Sequence, residues 1–170
     1  MKSIRKIKLY LLLICFLINI VYVTPSYSLS PQEDLFKNAL NLSSSGEFNL
    51  ALKQWNKYLE LFPDDAAALS NRGNIKLVNG DPEGAIEDQD KAIELDPGEV
   101  DPYINRGIAE ESLGLWLQAK NDYLYVISKD KDNFSALYNF ANVEGSLSNW
   151  QSARNLFSKA SESNPGFAMA

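Results

Sequence analysis

The sequence predicts an all-α fold, a linear array of four helix–turn–helix units, and three observations carry that prediction. Ala51, Ala85, Ala119 and Ala153 recur at an unbroken interval of 34 residues. Cut on that interval, residues 32–65, 66–99, 100–133 and 134–167 align without a gap. No stretch alternates apolar and polar residues as a half-buried strand would, while apolar residues recur at helical spacing along the whole array. A chain of 170 residues with 45% hydrophobic content has enough apolar matter for one compact core. Self-similarity at a fixed period points instead to units that each bury a face on the next.

The elements follow in order. Ser30-Pro31 opens the first helix with a polar residue and a proline at the first turn. Leu35, Phe36, Ala39, Leu40 and Leu42 then form its apolar stripe, and Ser43-Ser44-Ser45-Gly46 stops it. A second helix over 48–61 carries Leu50, Ala51, Trp55, Tyr58 and Leu59 on one side and ends before Pro63, which cannot continue a helical hydrogen-bond ladder. In the next unit Gly80-Asp81-Pro82 makes the turn and Asp96-Pro97-Gly98 closes the pair. The third unit starts at Asp101-Pro102, turns at Gly114 and ends near Asp130 to Asn133; the fourth turns at Ser148-Asn149 and ends at Asn164-Pro165-Gly166. Residues 168–170 read as the start of an incomplete fifth helix. Repeat arrays generally carry a terminal cap with a polar outer face, so the expectation is either a chain that continues past Ala170 or a partner docked on the last pair.

The N-terminal 28 residues are a separate segment. Lys2, Arg5, Lys6 and Lys8 precede an apolar run over residues 9–23, and Ser26-Tyr27-Ser28 offers small residues for cleavage. This pattern reads as a signal peptide cleaved after Ser28. The rival reading is an uncleaved anchor that associates with the membrane through residues 9–23, a run shorter than the ~20 residues needed to span a bilayer. Both readings place the repeats in an extracytoplasmic space.

Composition removes several classes of chemistry. The chain has no histidine, and its single cysteine, Cys15, lies in the N-terminal apolar run. No disulfide, Cys/His zinc site or histidine-based triad can be assembled, so neither catalysis nor a metal or other cofactor is expected. After Ser28 there are 12 basic and 22 acidic residues, a net charge of −10, which argues against a nucleic-acid partner.

The positions that recur carry a family resemblance. Each unit has a small residue at place eight (Ala39, Gly73, Gly107, Ala141) and Gly46, Gly80, Gly114 or Ser148 at place fifteen. Place seventeen holds Phe48, Pro82, Trp116 and Trp150, place twenty the alanines, and place thirty-two Pro63, Pro97, Lys131 and Pro165. On a 34-residue period this set, covering residues 32–167, resembles the tetratricopeptide repeat, or TPR. The resemblance implies a right-handed superhelical α-solenoid. The alanines fall where paired helices come closest, with Phe48, Trp116 and Trp150 filling the gaps beside them. Two departures stand out. Place eleven, where the family favours tyrosine, holds Leu42, Lys76, Glu110 and Glu144. Arg72 and Arg106 replace a large apolar residue, with their stems expected to pack and their charged heads to reach water.

The resemblance also implies a concave groove lined by the first helix of each unit. Asn71, Asn105 and Asn139 stack there at the same place of successive units, and Asn74 and Asn142 stand beside them. A carboxamide has donors and an acceptor for the N–H and C=O of an extended peptide, so such a ladder suits backbone recognition; the alternative is that these asparagines bridge neighbouring helices. Ile104 and Tyr138 are expected to offer apolar pockets, while the lysines with which some TPR modules clamp a terminal carboxylate are missing. The expected function is an exported, non-enzymatic scaffold that holds an extended protein segment. The alternative is an oligomerisation or complex-assembly subunit acting through the end of the array. An overall likeness to exported TPR proteins of cyanobacteria and chloroplast lumens, some of them photosystem assembly factors, implies a periplasmic or thylakoid-lumen location.

Overall fold

A computed structural model of the chain describes residues 30–164 and 166. The expected signal or anchor (1–28), its apolar run (9–23), Pro165 and the fifth-helix start (168–170) lie outside the described residues. Met1–Pro31 and Gln32–Ala170 are two separate units, and the repeats belong to the second.

The described residues form eight helices and no strand. They are α1 (Pro31–Ser44), α2 (Phe48–Leu61), α3 (Ala66–Val78), α4 (Pro82–Leu95), α5 (Asp101–Ser112), α6 (Trp116–Lys129), α7 (Phe134–Ser146) and α8 (Trp150–Ser163). Odd- and even-numbered helices pair as the four predicted units. Consecutive helices pack along the array, and α5 also touches α3 and α7, so first helices line up side by side.

Local chemistry sets the helix ends. Asp65 and Asn133 accept the Ala68 and Ala136 N–H groups at 2.9 and 3.0 Å, capping α3 and α7. Asp81 accepts the Gly84 N–H at 2.9 Å ahead of α4, which begins at Pro82. All four intra-unit turns share one conformation. Gly46, Gly80 and Gly114 have φ of +79°, +82° and +72°, and Ser148 has +62°. The following N–H in each turn returns to the carbonyl five residues back: Glu47 to Leu42, Asp81 to Lys76, Leu115 to Glu110 and Asn149 to Glu144, at 2.8–3.0 Å. That bond closes the helix end and requires the left-handed residue before it.

The recurring small residues mark the close approach within each pair. Ala51, Ala85 and Ala119 are at most 1% exposed and Ala153 is 5% exposed. A methyl group added at Gly73 would meet the Ala85 carbonyl oxygen at 3.1 Å, and one at Gly107 would meet the Tyr123 ring at 2.7 Å. Two apolar clusters result. One joins Ala39, Ala51, Trp55, Tyr58, Leu69 and Ile75; the other joins Tyr103, Ala119, Tyr123, Val126, Phe140 and Val143.

Three packing expectations are corrected. Phe48 and Trp116 are half-buried, but Trp150 is 69% exposed, because no described helix lies beyond α8 to cover it. The heads of Arg72 and Arg106 are not simply solvated: their side chains keep only 20% and 22% exposure. They meet Asp88 and Asp122 on the second helix of their own unit at 2.6 Å, a charge-assisted pair that outcompetes solvent. The place-eleven residues are absorbed by ion pairs in two units: Lys76 meets Asp88 at 3.1 Å, and buried Glu144 meets Lys120 of the preceding unit at 2.7 Å. Glu110 forms no such ion pair among the described residues. Among the described residues no helix is long and apolar enough to cross a membrane.

Candidate functional site

Between α3 and α5, where units two and three meet, the surface opens into a pocket of about 340 Å³. Asn71 and Asn74 from α3 and Asn105 from α5 line it, so three of the five ladder residues converge on one cavity. Ser70 and Ala92 contribute to the wall, and Asp96 and Glu99 from the α4–α5 connection and Asp101 at the start of α5 add carboxylates.

The asparagines are half-buried and partly engaged. Asn71 donates its Nδ2 hydrogen to the Ala67 carbonyl at 2.8 Å, and Asn105 donates to Ser70 Oγ at 3.2 Å, bridging two units. Asn105 therefore ties neighbouring repeats and still lines the cavity. The Oδ1 atoms of Asn71 and Asn105 have no partner among the described residues, so the lining is rich in acceptors. Behind it lies Gln89, 1% exposed, whose Nε2 donates to the Ser70 carbonyl at 2.9 Å and to Asn74 Oδ1 at 3.3 Å. Its Oε1 has no partner.

The remaining predicted positions are elsewhere. Asn139 and Asn142 lie half-buried on α7, outside this pocket. Ile104, expected to offer an apolar pocket, is 8% exposed and belongs to the second apolar cluster, which joins residues of α5, α6 and α7. Tyr138 is half-buried, with its ring 5.8 Å from Phe134 in a stack and 5.4 Å from Phe157 edge-on. The residues that sequence reasoning missed are Asp96, Glu99 and Gln89. The signal for Gln89 was present: it interrupts the series Trp55, Tyr123, Phe157 at the same place in the other units.

Charge is segregated around this pocket. Residues 66–128 contain five basic side chains, and each has a carboxylate partner away from the cavity. Arg72 and Lys76 hold Asp88, Lys91 meets Asp64, Arg106 holds Asp90 and Asp122, and Lys120 holds Glu144. Asp96, Glu99 and Asp101 have no cation among the described residues. No group of three or more His, Cys, Asp or Glu among the described residues is arranged to hold a metal ion.

Comparison with known proteins agrees with this architecture. Residues 36–100 match the family model described as tetratricopeptide repeat. Over 115 residues the chain is 29% identical to sperm-associated antigen 1 of Rattus norvegicus, covering 68% of this chain but only 13% of that protein. Its fold is similar to a crystal structure of MamA, with a TM-score of 0.68 at 21% identity over 82% of this chain and 78% of the other. It is also similar to the first TPR of Spaghetti (RPAP3) bound to the HSP90 peptide SRMEEVD, with a TM-score of 0.66 at 21% identity over 69% of this chain and 93% of that one. With the family model matched across the first two units and the same 34-residue plan continued through α8, the chain is a tetratricopeptide repeat protein.

Proposed function

We propose that the chain is a non-enzymatic scaffold that holds an extended segment of another protein against the first helices of its repeats. The observation that carries this reading is the convergence of Asn71, Asn74 and Asn105 on one open pocket between two units. Carboxamides spaced along a solenoid face can exchange hydrogen bonds with a peptide backbone while the ligand's side chains enter the gaps. The structurally similar Spaghetti domain was solved with a bound heptapeptide, which supports peptide capture on this fold. Replacing Asn71, Asn105 and Asn139 with alanine should weaken capture of peptide while leaving helical circular dichroism unchanged. Unaltered affinity would remove the ladder from the mechanism.

A second reading, assembly of copies or of a larger complex through the end of the array, is favoured by one observation. Trp150 and Phe157 on α8 are 69% and 38% exposed. Sedimentation of the wild type against Trp150→Ser decides it: a self-associating species lost in the variant supports assembly, and a monomer at all concentrations rejects it. The basic start and apolar run of residues 1–28 support an extracytoplasmic location. N-terminal sequencing of the native protein would read Leu29 if the signal is removed, and Met1 if it is not.

A further inference from the structure

We infer that the pocket between units two and three selects a basic stretch, taking a lysine or arginine side chain of the extended segment. The inference rests on the peptide-holding reading above and adds its charge preference.

Two independent observations lead there. Every basic side chain of residues 66–128 is paired elsewhere, whereas Asp96, Glu99 and Asp101 on the pocket have no cation among the described residues. The hydrogen-bonding inventory has the same polarity. Asn71 and Asn105 commit Nδ2 hydrogens to Ala67 and Ser70 and leave their Oδ1 acceptors open. Behind them Gln89, 1% exposed and outside the lining, fixes two pocket-lining residues by donating from Nε2 to the Ser70 carbonyl and Asn74 Oδ1. An ammonium or guanidinium group is a donor-only ligand that satisfies open acceptors and carboxylates together.

The same arrangement repels the acidic ligand seen on a similar fold. The peptide SRMEEVD carries three acidic side chains. Set against Asp96, Glu99 and Asp101, in a lining that holds no lysine, it would place like charges face to face, which costs affinity and slows encounter. Complementary charge instead steers a basic segment to the pocket, with an advantage that shrinks as salt is raised.

The test uses the full chain, immobilised, with a randomised library of extended heptapeptides, read by sequencing the retained pool at low and high salt. The expected result is at least threefold enrichment of lysine and arginine over input and depletion of aspartate and glutamate, both fading at high salt. Glu99→Gln with Asp101→Asn should retain peptides but lose the enrichment. Asn71→Ala with Asn105→Ala should retain few peptides of any charge. A retained pool with no charge bias, or an acidic one, overturns the inference and leaves the peptide-holding reading intact. A basic bias unchanged in the Glu99/Asp101 variant overturns the assignment to this pocket. If the wild-type chain retains no peptide, both readings fall.

Discussion

Arg106 grips Asp122 with two parallel bonds, Nε to Oδ2 at 2.8 Å and Nη2 to Oδ1 at 2.6 Å, on a carboxylate only 5% exposed. Its third nitrogen, Nη1, reaches Asp90 of the preceding unit at 2.6 Å. Arg72 repeats the device one unit earlier, holding Asp88 and reaching back to Asn56 at 3.1 Å. Each arginine thus fastens its own helix pair and the joint to the unit before it.

Removing Arg106 should therefore destabilise the array more than removing Arg72. Arg106→Ala leaves Asp122 buried without a cation, a change that costs about 3 kcal/mol. After Arg72→Ala, Asp88 keeps Lys76 at 3.1 Å, so the loss should be nearer 1–2 kcal/mol. Urea melts of the two variants check the order. Equal losses would mean that Lys76 does not hold Asp88 in solution.

Glu110 predicts a pH dependence with a definite sign. It is 8% exposed, one carboxylate oxygen has no partner, and its pKa is pushed up to about 7. Burial is the main cause, Asp122 and Asp90 add to it, and Arg106 pulls the other way. A carboxyl whose folded pKa exceeds its unfolded value binds more protons when folded. Its contribution is then present at low pH and lost as pH rises through the interval from about 4.5 to about 7. Glu111, also raised by burial, adds a slope of the same sign. Glu110→Gln should flatten the fall and be more stable than wild type at pH 8 by roughly 1–3 kcal/mol. Melts at pH 5 and pH 8 read the difference, and a variant that tracks wild type at both would exclude Glu110 as the source.

Ser148 is the one non-glycine residue found with positive φ among the described residues, at +62°, where the other three units have glycine. A side chain in the left-handed region carries a steric cost that glycine avoids. Ser148→Gly should therefore raise stability by about 0.5–1 kcal/mol, the usual glycine entropy penalty being outweighed here. The reciprocal change, Gly114→Ser, should lower stability by a similar amount. Thermal denaturation of the pair measures both.

The helix plan was legible because it rests on residues whose role is set by their own size or backbone: glycine at the turn, alanine at the close approach, proline past the second helix. The arginine clamps were legible only in pairs. Across the units, the residue at place seven and the one sixteen positions later read Asn38 with Gln54, Arg72 with Asp88, Arg106 with Asp122 and Phe140 with Leu156. Polarity switches on both sides together, which marks contact, whereas Arg106 taken alone reads as a solvated head. Trp150 was misleading for the opposite reason. Its place is one where an aromatic is covered by the following unit, so the residue itself cannot report whether that cover is present. The pocket was hidden because two of its acids, Asp96 and Glu99, come from the connection between helices, where position within the repeat says little about facing.

Gln89 joins stability and binding in one position. It occupies the place that Trp55 and Tyr123 fill in the flanking units, and the two apolar clusters are separate on either side of it. Gly107 shows that a glycine at place eight accepts a ring, since the Tyr123 ring lies where its Cβ would be, and Gly73 stands in the same relation to Gln89. Gln89→Phe should therefore fit over Gly73, remove an unpaired buried oxygen and bridge the two clusters. The Ser70 carbonyl that loses the Gln89 donor lies within α3, where the helical N–H ladder can still serve it. The net gain should be about 1–2 kcal/mol. The same ring would withdraw the amide from Asn74 and close the back of the pocket, so peptide retention should fall while the melting temperature rises. A variant that is stabilised and still retains peptide as wild type does would show that the polar interruption is packing alone. One that is destabilised would show that the pocket wall has no room for a ring.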